Sequence, residues 1–591
     1  MKIRLSKILI VFYILINHFS FAQTDTPLDR ILTMVEDIKN GSENNVNRLC
    51  DPNSGLANGP WYNAYWITDS GRRMSEWYML GNPNEGDTQS AQRWGNLSLI
   101  DKDGVVVFCE GESKFSGLVT AENVAFIGNG DLENIIVSPA GNFYFNLISL
   151  HSNNLQLFAN RYNLDNVEKM IDRQDNDARI LIDNVTFTNH NSPRKSQLWN
   201  NNPSDRLLES LKECLSAYYR DGMNDDINAR DCLQRFGVLS ISSGAAIQVD
   251  RPRTFLHINN AMFKEFANVV SIIESTSKRS DINIQNTQII DNQTKLGSIF
   301  ISSQDNLSLS NIKIINNDNA GIALGGFLKT IGQNMQITNI EVANNDTTWF
   351  MASSEELSLD NIVFENNAFS LPFLIATPHQ SYFNINNINF IKNRGLFSLA
   401  FIGSGRITES VIERNSFYMP IIARSENLTF NNLVFNNNTN FGKSFLVNLG
   451  NISFNDAEFI NNEIIASASL YSFMFPRSVF YRDNDPLKFI LSNPEPFESL
   501  TQHRLQFNNV KYIHRNRDVN VPSIVAYNSC GDNSCFERFT ELEQRMGHQI
   551  TVENYQELLR LPVNDAVSIY HFNTIDNLQC GYENEIYRCE R

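Results

Sequence analysis

The sequence predicts an all-β fold: a single-stranded, right-handed parallel β-helix with about three short strands in each coil of 22–28 residues. Three observations lead there. A short motif recurs at a near-constant step, the residues inside it alternate apolar and polar, and each copy carries asparagine where the chain must turn. The motif runs NVTFTN from Asn184, NTQIIDN from Asn286, NIKIINN from Asn311, NIEVANN from Asn339, NIVFENN from Asn361, NINFIKN from Asn387, SVIERN from Ser410, NLVFNNN from Asn432, DAEFINN from Asp456 and NVKYIHRN from Asn509. Its last apolar residues, Ile289, Ile314, Val342, Phe364, Phe390, Ile412, Phe435 and Phe459, are 25, 28, 22, 26, 22, 23 and 24 positions apart, and the 53 positions from Phe459 to Tyr512 read as two further steps. Such a period marks a solenoid, in which each unit buries its apolar face only by stacking on its neighbours.

Within a period the texture has a spacing of two, as in Leu357, Leu359, then Asn361, then Ile362 and Phe364. This is the signature of strands with one face buried. The asparagine between the strands suits a sharp turn, because it tolerates the left-handed region and hydrogen-bonds locally. A third strand is expected upstream of each pair, at 299–301, 322–324, 350–352, 373–376, 399–402, 421–423 and 445–447, presenting mostly Ser, Ala and Gly outward. Stacked coils put equivalent asparagines in a ladder, amide on amide.

The ends of the chain read differently. Residues 1–22 have the form of a secretory signal peptide, with Lys2, Arg4 and Lys7 before an apolar run from Ile8 to Ile16 and small residues Ser20 and Ala22 before the cut. That run is shorter than the ~20 residues of a membrane span, so no span is expected after its removal. Residues 23–104 form an N-terminal cap region, in which Thr26, Pro27 and Asp29 start a helix with Ile31, Leu32, Val35 and Ile38 at helical spacing. The β-helix is expected over 105–520, interrupted by a helical insertion near 201–236, and 521–591 loses the asparagine period to form a C-terminal cap. The eight cysteines fall in sequence-local pairs, Cys50 with Cys109, Cys214 with Cys232, Cys530 with Cys535 and Cys580 with Cys589. In an exported chain that pattern suggests disulfides, although eight cysteines allow 105 pairings. Eight N-x-S/T sequons, at Asn96, Asn184, Asn292, Asn306, Asn345, Asn427, Asn437 and Asn451, carry little weight in so asparagine-rich a chain.

The opening coils, VVVFCEGESKFSGLVTAENVAFIGNGDLENIIV from Val105 to Val137, resemble the pectin-lyase-like β-helix superfamily, and the resemblance extends to about Tyr512. The F-x-x-N form at Phe364, Phe390, Phe435 and Phe459, with SGAAI at Ser243 to Ile247, is similar to the repeats of the polymorphic outer membrane protein family. The Gly-Gly-Ala-Ile of those repeats appears here only as SGAAI, and the C-terminus does not resemble their membrane barrel. The superfamily resemblance implies action on polysaccharides from one side of the helix. The superfamily's hydrolase signatures are missing, however. Asp225-Asp226 is the one Asp-Asp pair and sits in the insertion, and Gly-His-Gly is absent.

What remains is a row of charged residues read as lying in the loop after the upstream strand: Lys329, Glu355, Glu356, His379, Arg406 and Arg424, with His379 as proton carrier. A polar solenoid surface explains the same residues without chemistry. A second candidate is the aromatic group around Trp61, Trp66, Trp77 and Trp94, suited to sugar stacking or to packing the cap. The acidic turn Asp221 to Asp226 offers oxygens for Ca²⁺ but lacks the spaced ligands of a calcium loop, so no cofactor is expected. A formal charge of −17 argues against nucleic acid and against holding acidic polysaccharides by bulk charge. These readings point to a secreted or cell-surface, monomeric, adhesin-like β-helix that binds glycans or surfaces. A polysaccharide lyase, hydrolase or epimerase of the same fold, and a purely structural spacer, are the alternatives.

Overall fold

Alternation turns one face of each strand inward, and stacking coil on coil pairs the backbone groups that an isolated strand would leave open. A computed structural model describes residues 26–40, 50, 64–68, 73–74, 78–79, 98–100, 102–139, 146–150, 177–189, 244–249, 251–275, 277, 279–301, 305–325, 332–377, 381–395, 399–417, 421–424, 427–440, 446–448, 451–464, 504–513, 524–527, 567–570, 577–583 and 586–591. The chain is a parallel β-solenoid. In a long ladder, strands Thr254–Lys264, Asp281–Ile290, Asn306–Ile315, Gly332–Ala343, Thr348–Glu365 and Tyr382–Ile391 pair in parallel, each with the equivalent strand of the next coil. Leu256, Ile282, Leu307, Met335, Leu357 and Phe383 form one inward column and Ile258, Ile284, Leu309, Ile337, Leu359 and Ile385 the next, all buried. A shorter ladder of upstream strands, including Ile322–Gly325, Ala368–Ala376, Leu399–Ile402 and Ile421–Arg424, closes the other side of the core. The signal segment, the insertion at 201–236 with Cys214 and Cys232, and Cys530 and Cys535 lie outside the described residues.

The asparagine between the two half-strands is left-handed in coil after coil, with φ of 52, 54, 55, 56 and 54° at Asn286, Asn311, Asn339, Asn361 and Asn387. From Asn311 onward its side chain donates to the equivalent residue one coil back, Asn339 to Asn311 at 3.0 Å and Asn361 to Asn339 at 2.7 Å. In the next coil Glu409 takes this position with φ 50°, so the copy read as starting at Ser410 begins one residue earlier. A left-handed residue without an asparagine or glycine side chain costs about 1–2 kcal/mol. Asn339→Val should therefore lower the urea midpoint while Asn339→Gly lowers it less, since glycine loses only the amide bond.

The motif's closing asparagine is a different device. Asn292, Asn317, Asn345, Asn367, Asn393, Asn415 and Asn438 are buried and linked into one chain of amides. Each of them donates both its backbone N–H and its side-chain amide to the next asparagine's Oδ1; for Asn393 to Asn415 the two bonds are 2.8 and 3.1 Å. The second amide proton goes to a carbonyl of the coil behind, Phe364 O in that case, at 2.8 Å. The turn's polar groups are thus satisfied inside the fold, as burial demands. Two of the sequon asparagines, Asn292 and Asn345, belong to this ladder and are closed to glycosylation in the folded chain.

The period holds with one correction. Phe459 and Tyr512 are direct partners in adjacent strands, so the 53 residues between them make one step rather than two. Ile452 pairs with Leu505 in the same way. Residues 465–503 therefore separate two coils that stack directly. A second correction concerns the short ladder. Its outward column runs Phe300, Ala323, Met351, Leu374 and Ala400, which is largely apolar rather than Ser, Ala and Gly. Phe300, Ala323, Met351 and Ala400 are buried yet stand outside the inner core.

Both ends of the long ladder are closed by antiparallel strands, which cover the unpaired edge that invites aggregation. Ala64–Thr68 pairs antiparallel with the first strand, Gly104–Cys109. At the far end Leu578–Glu583 pairs antiparallel with Arg504–Asn508, and Ile586–Glu590 with Leu578–Glu583. Cys589 is disulfide-bonded and lies directly opposite Cys580 in register. The expected helix spans Pro27–Lys39 with Thr26 as its cap. It lies on the flank of the first coils rather than over the open end: Ile31, Val35 and Ile38 pack on Val105, Val107, Ala125 and Ile127, the outward residues of those strands. The Thr26 hydroxyl donates to the Asp29 carboxylate at 2.6 Å and holds its pKa below the ordinary value. A lowered folded-state pKa stabilises above the unfolded pKa and is lost as pH falls through the folded one, so amide protection factors at the helix start, corrected for the intrinsic pH dependence of exchange, should fall in acid.

The disulfide Cys50–Cys109 ties the chain after this helix to the first strand and closes 59 positions of sequence. Replacing both cysteines by serine should cost about 2–4 kcal/mol through the freed loop. A fall in the thermal midpoint of the doubly substituted protein is the expected reading, with a fall at least as large for the wild type under reductant, which also opens the disulfide at Cys589.

Candidate binding face

The outward positions of the long ladder ahead of the left-handed turn form a wide face with little charge and many amides and hydroxyls. Since alternate residues share a face, register alone assigns its columns. One reads Asn283, Ser308, Gln336, Ser358, Asn384 and Arg406, and a second reads Asn259, Gln285, Ser310, Thr338, Asp360, Asn386 and Thr408. A third, nearer the start of each strand, reads Phe255, Asp281, Asn306, Asn334, Glu356, Tyr382 and Ser404. The side chains are held by one another. Asn306 donates to Asp281 at 2.7 Å, Asn334 to Asn306 at 3.0 Å, Asn386 to Asp360 at 2.6 Å and Thr408 to Asn386 at 2.8 Å. Their spacing along the solenoid is the strand spacing, about 4.8 Å.

Of the charged row read from the sequence, the described members Glu356 and Arg406 do not come together. Glu356 and Arg406 sit within strands Thr348–Glu365 and Ser404–Thr408, not in loops, because the chain runs from the short ladder into the long one without a break at Glu355 and Glu356. They occupy different columns and are two coils apart, about 10 Å along the axis. Arg424 ends a short-ladder strand, where its backbone pairs with Ile402. His379 and Lys329 lie outside the described residues. Within the third column the two described carboxylates, Asp281 and Glu356, are three coils apart, about 14 Å, against the ~5–9.5 Å that a glycoside-hydrolysing pair needs. Among the described residues no group of three His, Cys, Asp or Glu side chains is placed to hold a metal ion.

Of these tryptophans, Trp66 falls in strand Ala64–Thr68, which pairs on one side with Gly104–Cys109 and on the other with Arg73–Met74, opposite Val106 and Met74, while Trp61, Trp77 and Trp94 lie outside the described residues. Sequence reasoning missed the aromatic residues that do stand in solvent, Phe255 at 40% and Tyr382 at 50% exposure. The signal was available: each occupies the outward position one before an inward Leu256 or Phe383, where neighbouring coils carry Asp281, Asn306, Asn334 and Glu356.

Compared with protein-family models, curated proteins and solved structures, the chain finds no match. Among the described residues no helix is long and apolar enough to cross a membrane.

Proposed function

We propose that this chain is an exported or cell-surface β-helix of the pectin-lyase-like kind that binds glycans with the long outer face, as an adhesin-like monomer without a cofactor. The observation that carries the reading is the pre-ordered set of amide, hydroxyl and carboxylate columns at a fixed coil spacing, whose mutual hydrogen bonds fix their geometry before a ligand arrives. Sugars present hydroxyls that need both donors and acceptors, and amides supply both. Ordered side chains reduce the entropy lost on binding. The Cys50–Cys109 disulfide supports an oxidising compartment. The F-x-x-N likeness to polymorphic outer membrane protein repeats has a physical basis, since its Phe fills the core and its Asn enters the buried ladder, as Phe364 and Asn367 do.

Binding is favoured over catalysis because Glu356 and Arg406, the described members of the charged row on this face, sit on separate columns two coils apart. The test is to incubate the chain from Gln23 onward with neutral and uronic-acid polysaccharides, with and without Ca²⁺, recording retention beside new reducing ends and unsaturated products. Retention without products is the expected result. Product formation would make the chain an enzyme, and neither retention nor products would leave a spacer.

A further inference from the structure

Two of the three large apolar side chains exposed among the described residues, Phe255 and Tyr382, stand in the same outward column. Between them in strict register lie Asp281, Asn306, Asn334 and Glu356. The two rings are five coils apart, about 24 Å along the axis. Exposed rings on an otherwise polar face cost solvation, and nothing in the packing requires them, because the inward neighbours Leu256 and Phe383 already fill the core. Phe255 is additionally oriented by the Arg179 guanidinium, 5.5 Å from its centroid.

Resting on the glycan-binding reading above, we infer that this column is a single-file binding row for one extended, uncharged polysaccharide chain lying parallel to the solenoid axis. Phe255 and Tyr382 stack on pyranose faces at the two ends. Asn306 and Asn334, already hydrogen-bonded to Asp281 and to each other, present their remaining amide valences to sugar hydroxyls, and the Asp281 and Glu356 carboxylates accept from them. A sugar in an extended chain is comparable in length to the coil spacing, so successive sugars meet successive coils. The ligand is uncharged because the row holds two carboxylates and no cation between its aromatic ends, in a protein of net charge −17, which repels uronates.

The experiment is affinity electrophoresis of the chain from Gln23 onward, and of Phe255→Ala and Tyr382→Ala, in gels containing xylan, galactomannan, xyloglucan or mixed-linkage β-glucan, with polygalacturonate and alginate as charged probes. Both positions are exposed, and unchanged thermal midpoints establish that the variants fold. The expected result is retardation by at least one neutral polymer, about tenfold weaker binding for either variant, and steep loss of affinity for oligosaccharides too short to span both rings. Neutral-polymer retardation unchanged in both variants overturns the row while leaving the glycan-binding face standing. Equal or stronger retardation by the uronic-acid polymers overturns the uncharged ligand. Absence of retardation by every polymer overturns the row together with the reading on which it rests.

Discussion

Asn367→Ala should lower the stability of the solenoid by about 4–6 kcal/mol, read as a large fall in the urea midpoint. Asn367 is 1% exposed. Its Oδ1 accepts from the Asn345 backbone N–H at 3.1 Å and from the Asn345 amide at 2.8 Å, and its own amide donates to Val342 O at 2.8 Å and Asn393 Oδ1 at 3.1 Å. Alanine leaves two donors of Asn345 and the Val342 carbonyl buried without these partners, and each orphaned group costs about 1–3 kcal/mol. Asn367→Asp, equal in size, should be no better, since its second oxygen would face two acceptors and bury a charge. The exposed Asn361 is the control, and its alanine variant should cost only about 1–2 kcal/mol for the left-handed turn. Equal losses at Asn361 and Asn367 would show that the inner ladder contributes nothing special.

Phe364→Ala, three residues earlier in the same coil, should cost about 3–5 kcal/mol. Its ring is fully buried and stacks on Phe390 at 4.8 Å with planes 11° apart, while Phe350 and Phe373 meet it edge-on at 5.9 and 5.6 Å. Removing it opens a cavity bounded by four other rings, Phe369 among them at 5.7 Å, that cannot collapse without dragging coils together. Because solenoid stability is shared between neighbours, amide protection should fall in the coils at Ile340–Val342 and Ile388–Phe390 before it falls in distant ones. Phe364→Leu should recover most of the loss. Uniform loss of protection along the whole chain would contradict a nearest-neighbour solenoid.

The coil was legible in the sequence because period-two alternation and left-handed asparagines are local signals, and each coil repeats the same local solution. Leu357, Leu359, Asn361, Ile362 and Phe364 could be assigned to core and turn without any knowledge of their partners. Which of two asparagines does what was not legible. Asn361 and Asn367 look alike in sequence, but the first meets solvent and the second is buried by stacking, a property of neighbouring coils. The step from Phe459 to Tyr512 failed for the same reason: spacing counts residues, while pairing decides which coils touch. Glu356 and Arg406 do not meet because distance from the upstream strand, which set their expected place, does not fix the column. Continuity of Thr348–Glu365 through the expected loop moved Glu356 onto the long face, in a column that Arg406 does not share. Phe255 and Tyr382 were overlooked because an aromatic residue next to an inward position reads as part of the core until register shows which way it faces.

The proposed glycan site is the part of the long outer face ahead of the left-handed turn. Single cysteines placed at Ser308 and Lys313 test it directly, since both lie on strand Asn306–Ile315 but on opposite sides of the left-handed turn at Asn311. Thiol labelling of each is timed with and without the neutral polysaccharide most strongly retained by the protein. The account predicts slower labelling at position 308 and unchanged labelling at position 313. Equal protection at both positions, or protection at 313 alone, would contradict it.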